Sequence, residues 1–497
     1  MVNNNIAFKA ALELERRKRA RLKMKSSLRE FLVQDGEGNY QVGRHLEYLI
    51  DKLEKFTKDV QEGKSPRMIV CMPPRHGKSE TVTKKFPAWA LGNNPMWEVI
   101  ISSYSADLSE DFSRICRDTF EKHQDIFGLK LSKDSSSVKN WGIEGYRGRL
   151  TATGVGGAAT GKGAHIAIVD DPIKNRQDAQ SETKRKTMLD WYRSTLRTRL
   201  APGGGVIIVQ TRWHDEDLAG YLLKEMEKET GEVFDLINFP ALAEEGDILG
   251  REIGEVLWPE RYSREELERI KKAVGSIEWN ALYQQRPSAE NGEIFKRQHF
   301  KYFNMISNEY LEYEDELGTH KLNIKDLLIF QTIDTALKVN KANDSTAIGT
   351  WGVSKNGYLF LLDLFLKKVE VPDQWPLIKE MKRKWNPLFQ AIEDKQSGTG
   401  LLQQAKREMM PIRALKAEGD KVTRAVPFSI LVENGRVYFN ASMPQLYEYE
   451  EQLIKFPNAA HDDAVDVSSY AGQIVQQGRF GAGGGNRVSM KAKVISF

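Results

Sequence analysis

The stretch CMPPRHGKSE, residues 71–80, decides how the first half of this chain is read. It ends as a phosphate-binding loop ends, but the pattern G-x-x-x-x-G-K-[ST] requires glycine where Met72 stands. A second stretch, GVGGAATGKG at 154–163, carries Gly156, Gly161 and Lys162 in register and lacks the hydroxyl residue that should follow. A phosphate loop works because backbone N–H groups converge on an anion at a strand-to-helix turn. A lysine adds point charge there, and the next hydroxyl holds Mg2+. RMIVCM before the first stretch reads as a buried strand and KSETVTKKFPAWAL after it as a helix, which puts Ser79 in the metal-binding place. HIAIVDDP after the second stretch reads as a strand, so Lys162 stands in a loop between strands with no helix dipole and no hydroxyl. The first stretch is therefore read as the phosphate loop, with Arg75, His76, Gly77, Lys78, Ser79 and Glu80 around a nucleotide. The second is read as a mobile or substrate-contacting glycine loop.

Working outward, HIAIVDD has the form of an apolar strand ending in paired acids. Asp170 is expected beside Mg2+ and Asp171 beside the attacking water; the plainer alternative is a strand ending in an Asp-Pro turn. The next strand, GGVIIVQTRWHDEDLAG, ends in Gln210, Thr211 and Arg212. Polar residues at a strand's C-terminal edge face the ligand in sheets of this kind, so these three are candidates for sensing a γ-phosphate, or for capping the strand end. From Tyr40 to about 240, short apolar runs alternate with helical patterns, which predicts a largely parallel sheet with crossover helices. Residues 286–325 break this rhythm and read as a connector. Beyond it, LLIFQTIDTA, STAIGTWGV and GYLFLLDLFL follow one another as an antiparallel meander, then LFQAIED as a further strand among helices. The expected boundaries are a basic helical arm at 1–35, an ATPase-like domain at 36–285, the connector, a second domain at 326–475 and a Gly-rich basic tail at 476–497.

The chain has 497 residues, too many for one core. With 40% hydrophobic and 29% charged residues it reads as a soluble globular protein. No apolar run is long enough for a membrane span, and the N-terminus lacks the apolar core of a secretion signal. Cys71 and Cys116 are the only cysteines, which excludes a disulfide framework or a Cys-built zinc site and points to a reducing cytoplasm. A net charge of +4 does not by itself argue for nucleic acid. The local basic runs at 16–25, 184–199 and 406–416 are candidates, and each also reads as a solvated helix face. KRKTMLDWYRSTLRTR at 184–199 is the best of them for DNA contact, or for contact with a second copy.

MPPRHGKSE, SYSADLSEDFSR, GVGGAATGKGAHIAIVDDPIKN and QTRWHDEDLAG, in this order, resemble the large terminase subunit of tailed bacteriophages. The resemblance runs from about Tyr40 to Ala471. It implies an α/β chain with an N-terminal P-loop ATPase of ASCE, RecA-like type and a C-terminal nuclease of RNase H-like mixed-sheet fold. It implies ATP and Mg2+ as cofactors, with Mg2+ or Mn2+ at the nuclease. It also implies an adenine-contacting segment upstream of the loop, where Tyr40 and Gln41 stand, and an arginine finger for which Arg75, Arg147, Arg149 and Arg212 compete. Expected partners are double-stranded DNA, the procapsid's portal protein, a small terminase subunit and further copies in a ring, read as a pentamer. The expected place is the host bacterial cytoplasm, with transient docking on the procapsid.

Two-metal hydrolysis of a phosphodiester needs several carboxylates converging on two divalent ions. Asp334 ends the first strand of the meander and Glu393 ends LFQAIE, with Asp394 as its rival one residue on. HDDAVDVSSYAGQIV opens a helix with Asp462, Asp463 and Asp466, where spacings of three and four put acids on one side. Asp334, Glu393, Asp462 and Asp463 are the expected metal-binding set, with Asp463 preferred of the pair and His461 as a supporting residue. Asp334 as a turn cap and Asp462 or Asp463 as an ordinary helix cap are the plainer alternatives. Rival readings for the whole chain are a helicase-like ATPase fused to a nuclease, an inactive prophage assembly protein, and a transposition protein. The first lacks a second RecA-like lobe and the last lacks an end-recognition module.

Overall fold

The computed structural model describes residues 15–16, 18–157, 161–287, 294–335, 345–394, 396–416, 419–459 and 461–478. The chain divides into two compact units, Met1–Glu268 with Glu278–Ala289, and Arg269–Ile277 with Glu290–Phe497. Among the described residues, no helix is long and apolar enough to cross a membrane.

The first unit is built on eight strands: β1 (Arg67–Cys71), β2 (Glu98–Ser103), β3 (Leu131–Ser137), β4 (Asn140–Ile143), β5 (Arg149–Gly154), β6 (Ala164–Asp170), β7 (Leu200–Gln210) and β8 (Asp235–Asn238). They lie in the order β3-β4-β5-β2-β6-β7-β1-β8. From β5 to β8 every pairing is parallel, as the alternation of apolar runs and helices predicts, while β3 and β4 add an antiparallel edge. β1 and β2 are buried along their whole length, which explains why both read as unbroken apolar runs rather than alternating ones. One strand, β7, lies between β1 and β6, so the loop after β1 and the acids after β6 flank the end of β7. The helix Arg44–Gln61 packs against this sheet through Leu46, Leu49, Ile50, Leu53, Phe56 and Val60, a stripe at helical spacing.

The second unit is a nine-stranded mixed sheet. Its strands are β9 (Lys301–Met305), β10 (Tyr310–Asp315), β11 (Gly318–Asn323), β12 (Leu328–Asp334), β13 (Thr346–Val353), β14 (Leu359–Lys367), β15 (Gln390–Glu393), β16 (Ile412–Leu415) and β17 (Val437–Asn440). The order is β11-β10-β9-β17-β14-β13-β12-β15-β16. β12, β13 and β14 form the expected antiparallel meander, and β15 joins β12 in parallel. The helix Asp463–Gln476 is buried along most of its length and is fastened to β12 where the Thr332 hydroxyl donates to the Val467 carbonyl at 2.8 Å.

Two expected boundaries differ. The segment 286–325 is not a plain connector: β9, β10 and β11 lie within it, and β9 pairs with β17, extending the second sheet at one edge. Its acidic run hid the alternation Leu311, Tyr313 inward and Glu312, Glu314 outward, which is the period of a strand with one wet face. The 1–35 arm is not free along its length either. Met24, Leu28, Phe31 and Leu32 are buried in the core of the first unit, and Ser27 caps the helix Leu28–Asp35. Residues 1–14 and most of the 476–497 tail lie outside the described residues.

Candidate functional site

The loop after β1 is the predicted strand–turn–helix. Arg75 (φ 61°) and Gly77 (φ 93°) turn the chain through left-handed backbone, and a Cβ at residue 77 would meet the Leu46 side chain at 3.1 Å. Gly77 is therefore required both for its conformation and for its space. Met72 is fully buried, and its N–H donates to the Gln210 carbonyl at 3.3 Å. It extends the strand pairing where the usual pattern has its first glycine. A π-helical turn, Glu80–Lys85, follows and runs into the helix Phe86–Asn93.

Six polar side chains meet at this loop. The Lys78 ammonium donates to the Thr211 hydroxyl at 2.8 Å and pairs with the Asp171 carboxylate at 2.9 Å. Asp171 also accepts from the Thr211 N–H at 2.8 Å, and its backbone is left-handed at φ 42°. The Ser79 hydroxyl donates to Asp170 at 3.0 Å, and the Thr83 hydroxyl donates to the other Asp170 oxygen. Burial, with Asp171 alongside, pushes the Asp170 carboxyl up to about 7. A buried carboxylate fed by two hydroxyls, with Ser79 next to Lys78, suits a divalent cation, since such a charge would offset the cost of burying Asp170 beside a second acid.

The remaining candidates are less uniform. Tyr40 reaches the Thr81 hydroxyl at 2.5 Å, so its ring lies against the turn after the loop, whereas Gln41 is exposed. The His76 side chain is buried rather than presented to a ligand; Nδ1 meets the Pro74 carbonyl at 2.8 Å and the ring stacks on Tyr262 at 4.8 Å. Glu80 pairs with Lys84 one turn on. Arg75 is exposed on the loop. Arg212 is engaged by a carboxylate: its guanidinium donates to Asp217 at 2.9 Å, and Asp217 in turn caps the helix Leu218–Glu227. A buried arginine beside a buried carboxylate is held by that charge. Arg147 and Arg149 approach Glu98 at 3.5 and 3.8 Å, at the start of β2 and so at the opposite sheet edge from the loop.

The second glycine stretch also ends at that opposite edge. It leaves the end of β5 and returns to the start of β6, where a Cβ on Gly163 would meet Glu98 at 2.7 Å. Lys162 is thus separated from Lys78 by the length of the strands. The basic run 184–199 is largely neutralised from within: Lys184 pairs with Asp178, Arg185 with Glu216, Arg193 with Glu225 and Arg197 with Glu232.

In the second unit, the register Ile333↔Ile392 brings Asp334 and Glu393 to neighbouring strand ends. The helix Asp463–Gln476 supplies the rest. Asp463 accepts from the Ser345 N–H at 3.4 Å, Asp462 pairs with Lys421 at 2.7 Å, and the buried Asp466 pairs with Arg424 at 2.9 Å and Lys421 at 3.0 Å. Burial first, then Asp466, Glu393 and Asp463, holds the Asp334 carboxyl well above the usual carboxylate range, while Lys421 acts the other way. Glu393 also faces Tyr470, whose hydroxyl is raised by burial and by these acids. Asp394 turns outward instead and accepts from the Thr399 hydroxyl at 3.1 Å. Among the described residues, no three His, Cys, Asp or Glu side chains already form a closed cage for an ion. The donor set is nonetheless that of a hard cation, all carboxylate oxygen and mutually repulsive until neutralised.

Sequence reasoning missed Thr83, Lys421 and Arg424. Lys421 and Arg424 carried a signal, two cations at a helical spacing that matches the acids Asp462 and Asp466. Thr83 carried none, because a π-helical turn is not legible as a pattern.

A parallel sheet with a strand–loop–helix turn is thus followed along the chain by a mixed sheet with carboxylates clustered at its strand ends. The family model "Terminase large subunit, T4likevirus-type, N-terminal" matches residues 69–302, and "Terminase RNaseH-like domain" matches 331–473. The chain belongs to the large terminase subunit family, and so to the DNA-packaging proteins of phages. No curated protein matches it. Among solved structures, the large terminase of a thermophilic bacteriophage in complex with ADP is 10% identical, at a TM-score of 0.43 over 84% of this chain and 97% of that one. The HK97 bacteriophage large terminase is 12% identical, at 0.33 over 78% and 84%. The large terminase nuclease of thermophilic phage G20c with bound magnesium is 14% identical, at 0.28 over 37% and 98%. At these values no residue role is transferred from them.

Proposed function

We propose that this chain hydrolyses ATP at the 75–80 loop to drive double-stranded DNA into a procapsid, and that its second unit cuts concatemeric DNA when packaging starts and ends. The observation that carries the first half is the meeting of Lys78, Ser79, Asp170, Asp171 and Thr211 at the C-terminal ends of β1, β6 and β7. Asp171 and Thr211 hold the Lys78 ammonium, and the terminal phosphates of ATP compete for the same charge. When Lys78 turns to the phosphates, Asp171 is released as a base for the attacking water, still aimed by the Thr211 N–H. Thr211 sits between loop and base and so registers which of the two holds the lysine. Ser79 and Asp170 would hold Mg2+ here, and Asp334, Glu393 and Asp463 would hold Mg2+ or Mn2+ in the second unit, where a divalent ion lowers the pKa of water and stabilises charge on phosphate oxygens.

Asp334 and Glu393 are fixed by adjacent strands and Asp463 by a buried helix, so the acids keep their spacing while DNA moves past. Grip on the duplex is expected to be electrostatic and independent of sequence. Site choice then rests with a small terminase subunit, and thrust with a ring of copies, read as a pentamer, on the portal protein in the host cytoplasm. The test is ATP turnover by the purified full-length chain, with DNA and empty procapsids. Lys78→Ala should remove turnover by more than a hundredfold, as loss of a transition-state charge typically does. Turnover retained by that variant would refute the loop assignment.

A further inference from the structure

The acidic centre of the second unit contains two cations that divalent-metal chemistry does not call for. Lys421 is the first residue of the helix Lys421–Glu433, whose cap Asp420 accepts from the Thr423 N–H at 2.9 Å. Lys421 and Arg424 are three residues apart and share a side of that helix, while Asp462 caps the helix Asp463–Gln476 and Asp466 lies in its first turn. The two helices approach closely because Gly472 has no side chain: a Cβ there would lie 2.6 Å from the Phe428 backbone nitrogen. The approach brings the Lys421 ammonium to 2.7 Å from Asp462 and 3.0 Å from Asp466, and the Arg424 guanidinium to 2.9 Å from Asp466.

The two cations are placed differently. The Arg424 side chain is 5% exposed and also donates to the Gly419 carbonyl at 3.0 Å, so with the buried Asp466 it forms a fixed internal pair. The Lys421 side chain is 47% exposed and sits on a flexible four-carbon stem, across the acids that flank Asp463 in sequence. Its charge is felt at Asp334, where it opposes the burial and the three neighbouring acids. A lysine in this position neutralises the centre when no other cation does, and repels any cation that arrives.

We propose that Lys421 is a built-in counter-cation of the nuclease centre, competing with the divalent ion and keeping its affinity low. Loading then requires the ammonium to swing away from Asp462 and Asp466 into solvent. The inference rests on reading the acidic centre as a divalent-metal nuclease. A weakly loaded centre suits a protein whose nuclease must stay idle while DNA is translocated.

Mn2+ binding to the full-length chain, without nucleotide or DNA and followed by the EPR signal of free Mn2+, tests this apart from activity. Lys421→Met should tighten binding roughly tenfold, the scale expected for removing one partly screened like charge a few ångströms from a divalent ion. Lys421→Arg should bind as the parent does. Lys421→Gln, which keeps a hydrogen-bonding group while losing the charge, should reproduce the tightening even if the methionine disturbs the helix pair. Unchanged or weaker binding in both uncharged variants would overturn the proposal and make Lys421 a residue that positions the acids. Asp334→Asn should abolish the tightened site in the Lys421→Met background. If it does not, the metal-centre reading itself falls.

Discussion

Asp170 shows how one side chain is held by groups that a pattern does not name. Its two oxygens accept from Ser79, which caps the π-helical turn beyond the loop, and from Thr83 within that turn. If Ser79 turns to Mg2+, Thr83 remains to fix the carboxylate's plane. A hydrogen bond to a charged group is worth about 1.5–3 kcal/mol. Thr83→Val, which keeps the shape and deletes the hydroxyl, should therefore lower kcat by roughly tenfold and raise the Mg2+ concentration needed for half-maximal ATP turnover. A Mg2+ titration of ATPase checks this, and an unshifted titration would mean that Asp170 is oriented without Thr83. Arg212 illustrates the converse. A position that looked suited to sensing a phosphate is spent on Asp217 and a helix cap.

At the scale of elements, the loop is braced from behind by the helix Arg44–Gln61. His45 on that helix reaches the His76 carbonyl at 3.0 Å, and its ring packs edge-on against Trp258 at 5.0 Å. Burial pushes both imidazoles down to about 4, His45 and His76 alike. Both are neutral in the folded chain, whereas the unfolded chain binds protons below its ordinary value of about 6.5. The stability they contribute is thus complete above about pH 6.5 and is lost as pH falls towards 4, by roughly 3 kcal/mol per histidine at the limit. Thermal melts of the full chain between pH 7 and 4 should show the loss, and His45→Gln should make it shallower. An equal slope in the variant would place the acid sensitivity elsewhere.

At the scale of the whole molecule, the two candidate centres lie in separate compact units, each with its own sheet and core. Asp334→Ala removes an acid that its neighbours already disfavour, so it should cost the second unit little stability while ending DNA cleavage. ATP turnover of the same preparation should stay within about twofold, since substitutions without shared partners act independently. Undiminished cutting in Mn2+ would dismiss the acidic centre.

The turn in CMPPRHGKSE was legible because a strand–loop–helix is local: a buried strand, a turn and a helix follow one another along the chain. The alternation of strands and helices, the meander and the strand-end acids Asp170, Asp334 and Glu393 were legible for the same reason, since period and punctuation are properties of neighbouring residues. The choice between Glu393 and Asp394 was not, because a one-residue change of register reverses which acid faces inward, and only the pairing of β15 with β12 settles it. The partners of Arg212 and of the 184–199 run, Asp217 and the acids at 178, 216, 225 and 232, were not legible because they come into reach only through packing. The same holds for Lys421 and Arg424, which reach Asp462 and Asp466 from about forty residues away because Gly472 lets two helices touch. Which polar groups stand at the strand ends could be read along the chain; which charges are already spent on one another is decided by contacts between distant segments.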